Sequence, residues 1–307
     1  MNAAVPVERI VFRSGRTEIG AFRCPADHPE FRHAGGPIAD HHVFVFPRSR
    51  VWIRHEGRRP FATDTRVVTL YNPGQVYERA PLDDLGDFCD WFAVDAETAR
   101  AAVAALDPSV EDRPDTSCFA FTHASSDART YLAQRELFGV VSRGEAGDAL
   151  GVEERVIGLL DRVLESAYRV RRLRRRAAGD EIEAVRAAQL LLAERFSDAL
   201  SLEAVARAVG LSRYRLCHVF REATGATLHG HREELRLRAA LEALEDRAVD
   251  LTELALQLGY SSHSHFTSRF RRAFGVAPSR LRGRLFAADR ADGVDARRAP
   301  RGHGRGH

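Results

Sequence analysis

The spacing of apolar residues changes once along the chain, close to residue 95. Before that point, short runs of aromatic and β-branched residues are separated by turn-forming sequences, among them residues 47–50 and 72–74. This pattern predicts β-strands, and several short strands at such spacing favour a small sandwich or barrel. The predicted strands cover residues 9–12, 18–23, 42–46, 51–54, 66–71 and 88–94.

After residue 95 the apolar positions recur every three or four residues, which indicates α-helices. Helices are predicted at residues 96–106, 129–141 and 152–170. The last of these carries one continuous apolar stripe, formed by Val152, Val156, Leu159, Val163, Ala167 and Val170. Such a stripe packs either on its own barrel or on a second copy of the chain, and we favour a dimer contact. Six of the eight residues at 169–176 are arginines, and this stretch is interpreted as a linker.

An internal repeat occupies the last third of the chain. The pattern Val205-Ala206-x-x-Val209-Gly210-Leu211-Ser212 returns 49 residues later as Leu254-Ala255-x-x-Leu258-Gly259-Tyr260-Ser261. Each copy predicts helix, glycine turn and helix, which is the signature of a helix-turn-helix. The predicted caps and turns are Ser201, Gly210, Ser212 and Gly225 in the first copy, and Asp250, Gly259, Ser261 or Ser262, and Gly275 in the second.

The second helix of each copy has one apolar and one polar side. Leu216, Val219 and Phe220 in the first copy, like Phe266, Phe270 and Ala273 in the second, are predicted to be core. The opposite sides carry hydrogen-bonding or cationic residues at matching positions, which suit base edges and phosphates. A polar solvent face is the alternative, but two matched copies favour DNA recognition. Residues 228–244 read as one long helix that fixes the two units relative to each other, about 34 Å apart if they enter successive major grooves.

Charge supports this interpretation only locally. The net charge is +3, and all 46 basic residues are arginine. Residues 181–307 hold 21 arginines and 16 acids, whereas residues 261–284 hold six arginines and no acid. An acid-free basic segment is what a polyanion-binding surface needs, although basic runs also occur on solvated faces.

Residues 183–283 resemble the DNA-binding domain of the AraC/XylS family of bacterial transcription regulators. The resemblance lies in Gly259-Tyr260-Ser261-Ser262-x-Ser264-x-Phe266-x-x-x-Phe270-Arg271-Arg272-x-Phe274-Gly275-x-x-Pro278-Ser279-x-x-Arg282. It implies two helix-turn-helix units that each place a recognition helix in a major groove. By position, the base-reading residues are Tyr214, Cys217, His218, His263, Ser264, Thr267 and Ser268. Phosphate contacts are expected from Arg213, Arg221, Arg269, Arg271, Arg272, Arg280 and Arg282.

The resemblance also implies an α+β chain with a regulatory N-terminal domain. We expect a cupin-like β-barrel with a helical hairpin at residues 1–176, an all-α double helix-turn-helix domain at 177–283, and a disordered tail at 284–307. The implied partners are double-stranded DNA, a second copy of the chain and an unknown small-molecule effector, with RNA polymerase as a further candidate. The resemblance also implies a cytoplasmic, nucleoid-associated protein, and an activator is the expected type. The sequence does not determine the target operon or the sign of regulation.

Chemistry in the front half has weaker support. His41 and His42 are adjacent and point to opposite faces of a strand, so they do not form the His-x-His element of a metal cupin. Cys24, His28 and Cys89 could form a three-ligand zinc site if their strands meet, or be ordinary core and loop residues. We therefore expect neither enzyme activity, nor a metal, nor another cofactor. Arg48, Trp52 and Arg54 are the candidate effector-binding residues.

Composition narrows the setting. The apolar runs are all shorter than the ~18–20 residues of a membrane-spanning helix, and the first 18 residues lack the apolar core of a secretory signal. Four cysteines in 307 residues are too few for a disulfide framework, which indicates free thiols in a reducing compartment. Three hypotheses remain: an effector-responsive regulator, which we favour, an enzyme fused to a DNA-binding domain, and an architectural DNA binder without sequence preference.

Overall fold

A computed structural model of the protein describes residues 7–32, 41–174, 179–246 and 248–282. The predicted tail at 284–307 lies outside the described residues, and so do residues 175–178 at the end of the arginine-rich linker. The predicted change of structure near residue 95 is confirmed, since nearly all strands precede that position and helices dominate after it. The chain is therefore an α+β protein, as expected.

Nine strands form two sheets within the described part of the chain. They are β1 (Glu8–Arg13), β2 (Thr17–Cys24), β3 (His42–Pro47), β4 (Val51–His55), β5 (Phe61–Ala62), β6 (Val67–Tyr71), β7 (Tyr77–Pro81), β8 (Asp87–Val94) and β9 (His123–Ser125). The first sheet has the order β1-β2-β8-β3-β6-β9 and the second β5-β4-β7, and every pairing is antiparallel. The turn after β3 carries the chain from the first sheet to the second.

Six of the nine strands were predicted, and the three missed strands are short or exposed. β5 has two residues and β9 has three, too few to show a period of two. β7 has no buried residue, so alternation gives no signal there. These strands exist because a neighbouring strand supplies their hydrogen bonds.

Ten α-helices follow in the described residues. The first three are α1 (Ala96–Ala104), α2 (Ala128–Ser142) and α3 (Ala149–Arg174). The others are α4 (Gly179–Glu194), α5 (Leu202–Ala208), α6 (Arg213–Thr224), α7 (Leu228–Ala243), α8 (Leu251–Gln257), α9 (His263–Phe274) and α10 (Pro278–Leu281). None of these helices combines the length and the apolarity needed to cross a bilayer.

The apolar stripe of α3 packs inside the chain. Val156 and Val163 are fully buried, and Leu159 is nearly so, in the core that also holds Phe44 and Phe92 of the first sheet. The favoured interpretation of this stripe as a dimer contact is therefore wrong, because the first sheet and helices α1 and α2 already cover it. Residues 169–174 are also helical and extend α3 into the predicted linker.

One hydrophobic core extends across the predicted domain boundary. It begins with the first sheet and continues through Leu237 and Leu241 of α7 to Phe266 and Phe270 of α9. The first helix-turn-helix has a separate core, which includes Leu216, Val219 and Phe220. The two helix-turn-helix units therefore differ in how they are supported.

Candidate nucleic-acid interface

The first helix-turn-helix consists of α5 and α6, and its ends are capped as predicted. The Ser201 hydroxyl accepts a hydrogen bond from the Ala204 amide at 3.1 Å, and the Ser212 hydroxyl accepts one from the Arg215 amide at 3.2 Å. Gly210 has φ +70°, the left-handed conformation that a tight turn between helices requires. These caps satisfy amides at the start of each helix and set where it begins.

The second unit, α8 and α9, repeats this construction. Asp250 caps α8 by accepting from the amides of Thr252 and Glu253. Ser262 caps α9 and Ser261 does not, which decides between the two predicted candidates. Phe266 and Phe270 are fully buried as predicted, whereas Phe274 rather than Ala273 completes the buried side.

The predicted base-reading residues all lie on the accessible sides of α6 and α9. Tyr214 is 81% exposed, so its ring and hydroxyl are open to a binding partner. Its ring lies parallel to that of His218, with centroids 6.4 Å apart. Cys217, Ser264 and Ser268 are exposed, and His263 and Thr267 are half-buried and in contact at 3.3 Å. On α9, the four predicted base readers line one shallow groove together with Arg271 and Arg272.

The predicted phosphate-binding arginines divide into two groups. Arg221, Arg271, Arg272 and Arg280 are exposed, Arg282 is half-buried, and Arg213 lies 3.3 Å from Glu203 at the surface. Arg269 differs, because its Nε donates to Glu233 at 2.8 Å on α7. Its guanidinium already has a partner within the protein, so a supporting role suits it better than phosphate contact.

Helix α7 holds both units, as predicted for the connecting helix, through side-chain contacts that no sequence motif indicated. Arg236 donates to the Phe196 carbonyl at 2.7 Å and Arg232 to the Leu200 carbonyl at 3.1 Å, both in the segment before α5. Glu233 contacts the second unit, where it accepts hydrogen bonds from the Tyr260 hydroxyl at 3.2 Å and from Arg269. The three α7 side chains lie within roughly 100° around the helix axis. One face of α7 therefore fixes the two units relative to each other.

Gly259 brings the second unit against the segment that leads into the first unit. A Cβ on this residue would lie 2.2 Å from the Ser197 carbonyl oxygen and 2.5 Å from Nη2 of Arg236. Its φ of +78° also favours glycine. The repeat predicted a glycine here for the turn, but the close approach between units is a second reason that only the structure shows.

Comparison with known proteins agrees with this geometry. A helix-turn-helix domain family model matches residues 205–284, which include both units. The regulator GlxA of Rhizobium meliloti is 36% identical over 85 residues, covering 28% of this chain and 26% of GlxA. The activator RhaS of Escherichia fergusonii is 33% identical over 106 residues, covering 34% of this chain and 38% of RhaS. The helix-turn-helix region of the chain is thus similar to the DNA-binding regions of these transcriptional regulators. It aligns with less than half the length of either relative.

Two solved structures were also found to be similar to this chain. A regulator from Chromobacterium violaceum described as AraC-type is 27% identical over 34% of this chain and 97% of its own, with a TM-score of 0.32. ToxT from Vibrio cholerae aligns over 89% of this chain and 99% of its own, at 12% identity and a TM-score of 0.35. Scores this low do not establish a shared arrangement, so the architecture follows from the strands and helices themselves.

The opposite face of α7 binds the N-terminal, sheet-containing part of the chain through buried charges. Arg238 is fully buried and donates to the carbonyls of Thr65, at 2.7 Å, and Ser126. Burial lowers the pKa of Arg238 to about 10, so it stays charged at neutral pH. Glu242 accepts from the Tyr131 hydroxyl at 2.7 Å and from Arg48. Long-range pairs of this kind leave no trace in sequence spacing.

Arg135 of α2 extends this cluster into the first sheet. It contacts Glu245 and Asp90, each at 2.5 Å. Burial alone would raise the pKa of Asp90, but Arg135 and Arg23 lower it to about 2. The buried carboxylate therefore stays ionised, and the cluster joins β8, α2 and the end of α7.

The candidate effector residues are not brought together. Arg48 binds Glu242 and Glu245, and Arg54 pairs with Glu78 at the surface. Of the three, only Trp52 lines a cavity, which lies between strands of the two sheets and helices α3, α4, α6 and α7. The sequence did not indicate this cavity, because its walls come from segments more than 150 residues apart.

The candidate metal ligands give no support for a metal site. Cys24 and Cys89 are buried and form no disulfide bond, and burial raises the pKa of Cys89 well above its usual value. In the described residues no group of three or more histidine, cysteine or acidic side chains is placed to hold a metal ion. His42 is buried and His41 only partly so, as their opposite directions on a strand require.

Proposed function

We propose that this chain is a sequence-specific, effector-responsive transcription regulator that reads two successive major grooves per monomer. The observation that carries the proposal is the pair of capped helix-turn-helix units, which one face of α7 holds through the segment before α5 and through α9. Each recognition helix presents exposed hydrogen-bonding and cationic side chains, which are the groups that read base edges and bind phosphates.

The differing chemistry of the two helices favours sequence recognition over architectural binding. The α6 face has Tyr214, Cys217 and His218, whereas the matching α9 positions have Ser264, Thr267 and Ser268. Two different surfaces at fixed separation select a two-part site. Cys217 and Ser268 have short side chains, so we expect the longer neighbours to supply most of the base contacts.

The experiment is selection of binding sites from random duplex DNA by the full-length protein, followed by competition. Enrichment of a site with two conserved blocks about one helical turn apart is expected, and random DNA should compete poorly. Equal competition by random DNA would favour the architectural alternative instead. Mapping bound sites in the source genome then identifies the candidate target operon.

The proposal extends to partners and location. We infer a homodimer in the cytoplasm, bound to the nucleoid, with RNA polymerase as a contact at promoters and no enzyme activity. Since Val156, Leu159 and Val163 are buried within the chain, a dimer would use another surface. Sedimentation of the full-length protein tests the oligomeric state independently of DNA binding.

A further inference from the structure

The two recognition helices present different surfaces, although they are built on the same repeat. On α6 the side chains opposite buried Leu216 and Phe220 lie within roughly 100° around the helix axis. They are Tyr214, Cys217, His218 and Arg221. The residues 50 positions later, on α9, are Ser264, Thr267, Ser268 and Arg271. The first three of these α9 residues all have a hydroxyl group, whereas the α6 face begins with an aromatic ring and a thiol.

The ring of Tyr214 is the most prominent group on the α6 face. No other large apolar or aromatic side chain in the described part of the chain is as exposed as this one, at 81%. The His218 ring lies parallel to it, with the centroids 6.4 Å apart. Cys217 is exposed on the same face, and a cysteine packs as a small apolar residue. The centre of this face is therefore more apolar than its counterpart on α9.

The arginines on either side of this face already have partners within the protein. Arg213 lies 3.3 Å from Glu203 of α5, and Arg215 pairs with Glu181 of α4. An arginine that is paired with a carboxylate has less of its charge and fewer of its donors available for DNA. The apolar groups between these two pairs therefore contribute more to what α6 can distinguish.

One matched position of the repeat even has the opposite charge. On α6, Nε2 of His218 lies 3.3 Å from the carboxylate of Glu222, one turn along the helix. The matching residue on α9 is Arg272, which is exposed and lines the α9 groove. Glu222 occupies one polar atom of His218, and its negative charge repels phosphates. The α6 face is thus poorer in free hydrogen-bonding and cationic groups than the α9 face.

The major groove offers one apolar group to such a face. The base edges in this groove have hydrogen-bond donors and acceptors, and the exception is the C5 methyl group of thymine. An apolar side chain that contacts this methyl group distinguishes thymine from the other three bases. It does so without a hydrogen bond, which suits an exposed aromatic ring next to a thiol.

We propose that Tyr214 reads the C5 methyl group of a thymine in the half of the site that α6 contacts, and that Cys217 completes the apolar surface around that methyl group. The inference rests on the proposed regulator function and adds the base that the first unit selects. The second unit, whose matching positions have hydroxyl groups, depends on hydrogen bonds to base edges instead.

The test uses the site selected by the full-length protein and replaces its thymines one at a time by deoxyuridine, which lacks only the methyl group. Fluorescence anisotropy should show that at least one replacement weakens binding about fourfold, the effect of removing one buried carbon group. If every replacement changes the affinity by less than about twofold, the proposal is rejected.

Variants of Tyr214 assign the sensitive thymine. Tyr214→Ala should weaken binding to the thymine site about fourfold or more and should abolish the deoxyuridine effect at that position, because the methyl group has lost its contact. Tyr214→Phe keeps the ring and should retain both the affinity and the effect. Ser264→Ala changes the matching position on α9 and is the control, since it should leave the deoxyuridine effect at that thymine unchanged.

Three results would overturn the assignment. A deoxyuridine effect that persists in Tyr214→Ala would show that another residue contacts the methyl group. Equal losses of affinity in Tyr214→Phe and Tyr214→Ala would show that the hydroxyl acts instead of the ring. Selection of no site at all would reject the regulator function and this inference with it, whereas a selected site without a Tyr214-dependent thymine rejects this inference alone. Binding to random duplex DNA, measured with every variant, shows that the variants remain folded.

Discussion

His218 on α6 and Thr267 on α9 are the residues whose replacement tests base reading most directly. Their side chains lie on accessible sides of the two recognition helices, and neither is part of a core. We expect His218→Ala and Thr267→Ala each to weaken binding to the selected site by roughly 1–3 kcal/mol, the range of a base contact. Fluorescence anisotropy with specific and random duplexes measures both effects, and random-DNA binding should change less.

Gln257→Ala is the matched control for this prediction, since Gln257 is exposed on α8 outside the recognition helices. It should leave both affinities unchanged. If His218→Ala and Thr267→Ala both keep wild-type affinity and base preference, the assignment of these faces to the grooves is wrong.

Arg269 and Arg271 are two residues apart but should behave differently. Arg271 is exposed beside the α9 groove, so Arg271→Ala should reduce the salt dependence of log K by about 0.9 in slope if it removes one phosphate contact. Arg269→Ala instead takes a partner from buried Glu233 and should lower the free energy of unfolding by about 1–2 kcal/mol. Binding titrations at several salt concentrations and urea unfolding separate the two roles, and an identical slope in wild type and Arg271→Ala would contradict the phosphate contact.

The turns inside the two helix-turn-helix elements should tolerate alanine to different degrees. Gly210 and Gly259 share a left-handed backbone, at φ +70° and +78°. A Cβ at Gly210 meets nothing within 4 Å, so Gly210→Ala should cost only the conformational strain of about 1–2 kcal/mol. At Gly259 the Cβ also collides with the Ser197 carbonyl, so the loss of stability should be clearly larger.

Gly259→Ala should also change the placement of the second unit relative to the first. We therefore expect it to weaken binding to the two-part site more than binding to random DNA, while Gly210→Ala affects both alike. Urea unfolding and the two DNA titrations provide the measurements. Equal losses of stability in the two variants would show that the contact between units is unimportant.

Helix α3 provides a test of buried against exposed positions on one element. Val163 is fully buried, so Val163→Glu should destabilise the N-terminal domain by several kcal/mol, because an unpaired charge enters the core. Ile157 on the outer side is 38% exposed, and Ile157→Glu should be tolerated. Chemical denaturation measures the stability, and sedimentation measures the oligomeric state. A stable but monomeric Val163→Glu protein would restore the dimer interpretation of the stripe.

The whole molecule is joined by the acidic end of α7 and the arginines of the N-terminal domain. Replacing Glu242 and Glu245 together by alanine leaves Arg48 and Arg135 without two of their carboxylate partners. We expect the double variant to unfold in two calorimetric transitions at temperatures below the single wild-type transition. Glu222→Ala, a surface acid of α6, is the control and should keep one transition, and a single unshifted transition in the double variant would refute the coupling.

The same cluster predicts an acid response. The pKa of Asp90 is lowered in the folded protein to about 2, below the ordinary aspartate value of 3.8. Its contribution to stability is therefore complete above about pH 4 and is lost as pH falls towards 2. Urea unfolding between pH 5 and pH 2 should therefore show the free energy of unfolding falling as Asp90 is protonated and its pairs with Arg23 and Arg135 weaken.

The local features of this protein could be predicted from its sequence because they depend on neighbours a few residues away. The strand–helix change near residue 95, the caps Ser201, Ser212 and Asp250, and the polar faces of α6 and α9 all follow from short-range spacing and side-chain chemistry. The repeat then identified the helix-turn-helix pair. A single amphipathic helix always has a polar side, whereas two copies that match at several positions point to a shared function. The polar side of a single helix can be predicted from the spacing of polar residues within that helix.

Contacts between distant segments were decided only by the tertiary structure. An apolar stripe such as that of α3 needs a partner surface, and its periodicity is the same whether that surface is its own barrel or another chain. Likewise Arg48, Arg135 and Arg238 look like any other arginines until the fold places Glu242, Asp90 or a backbone carbonyl beside them. Burial and electrostatic partners depend on distance in space, and sequence spacing does not encode the distance between segments that meet only when the chain folds.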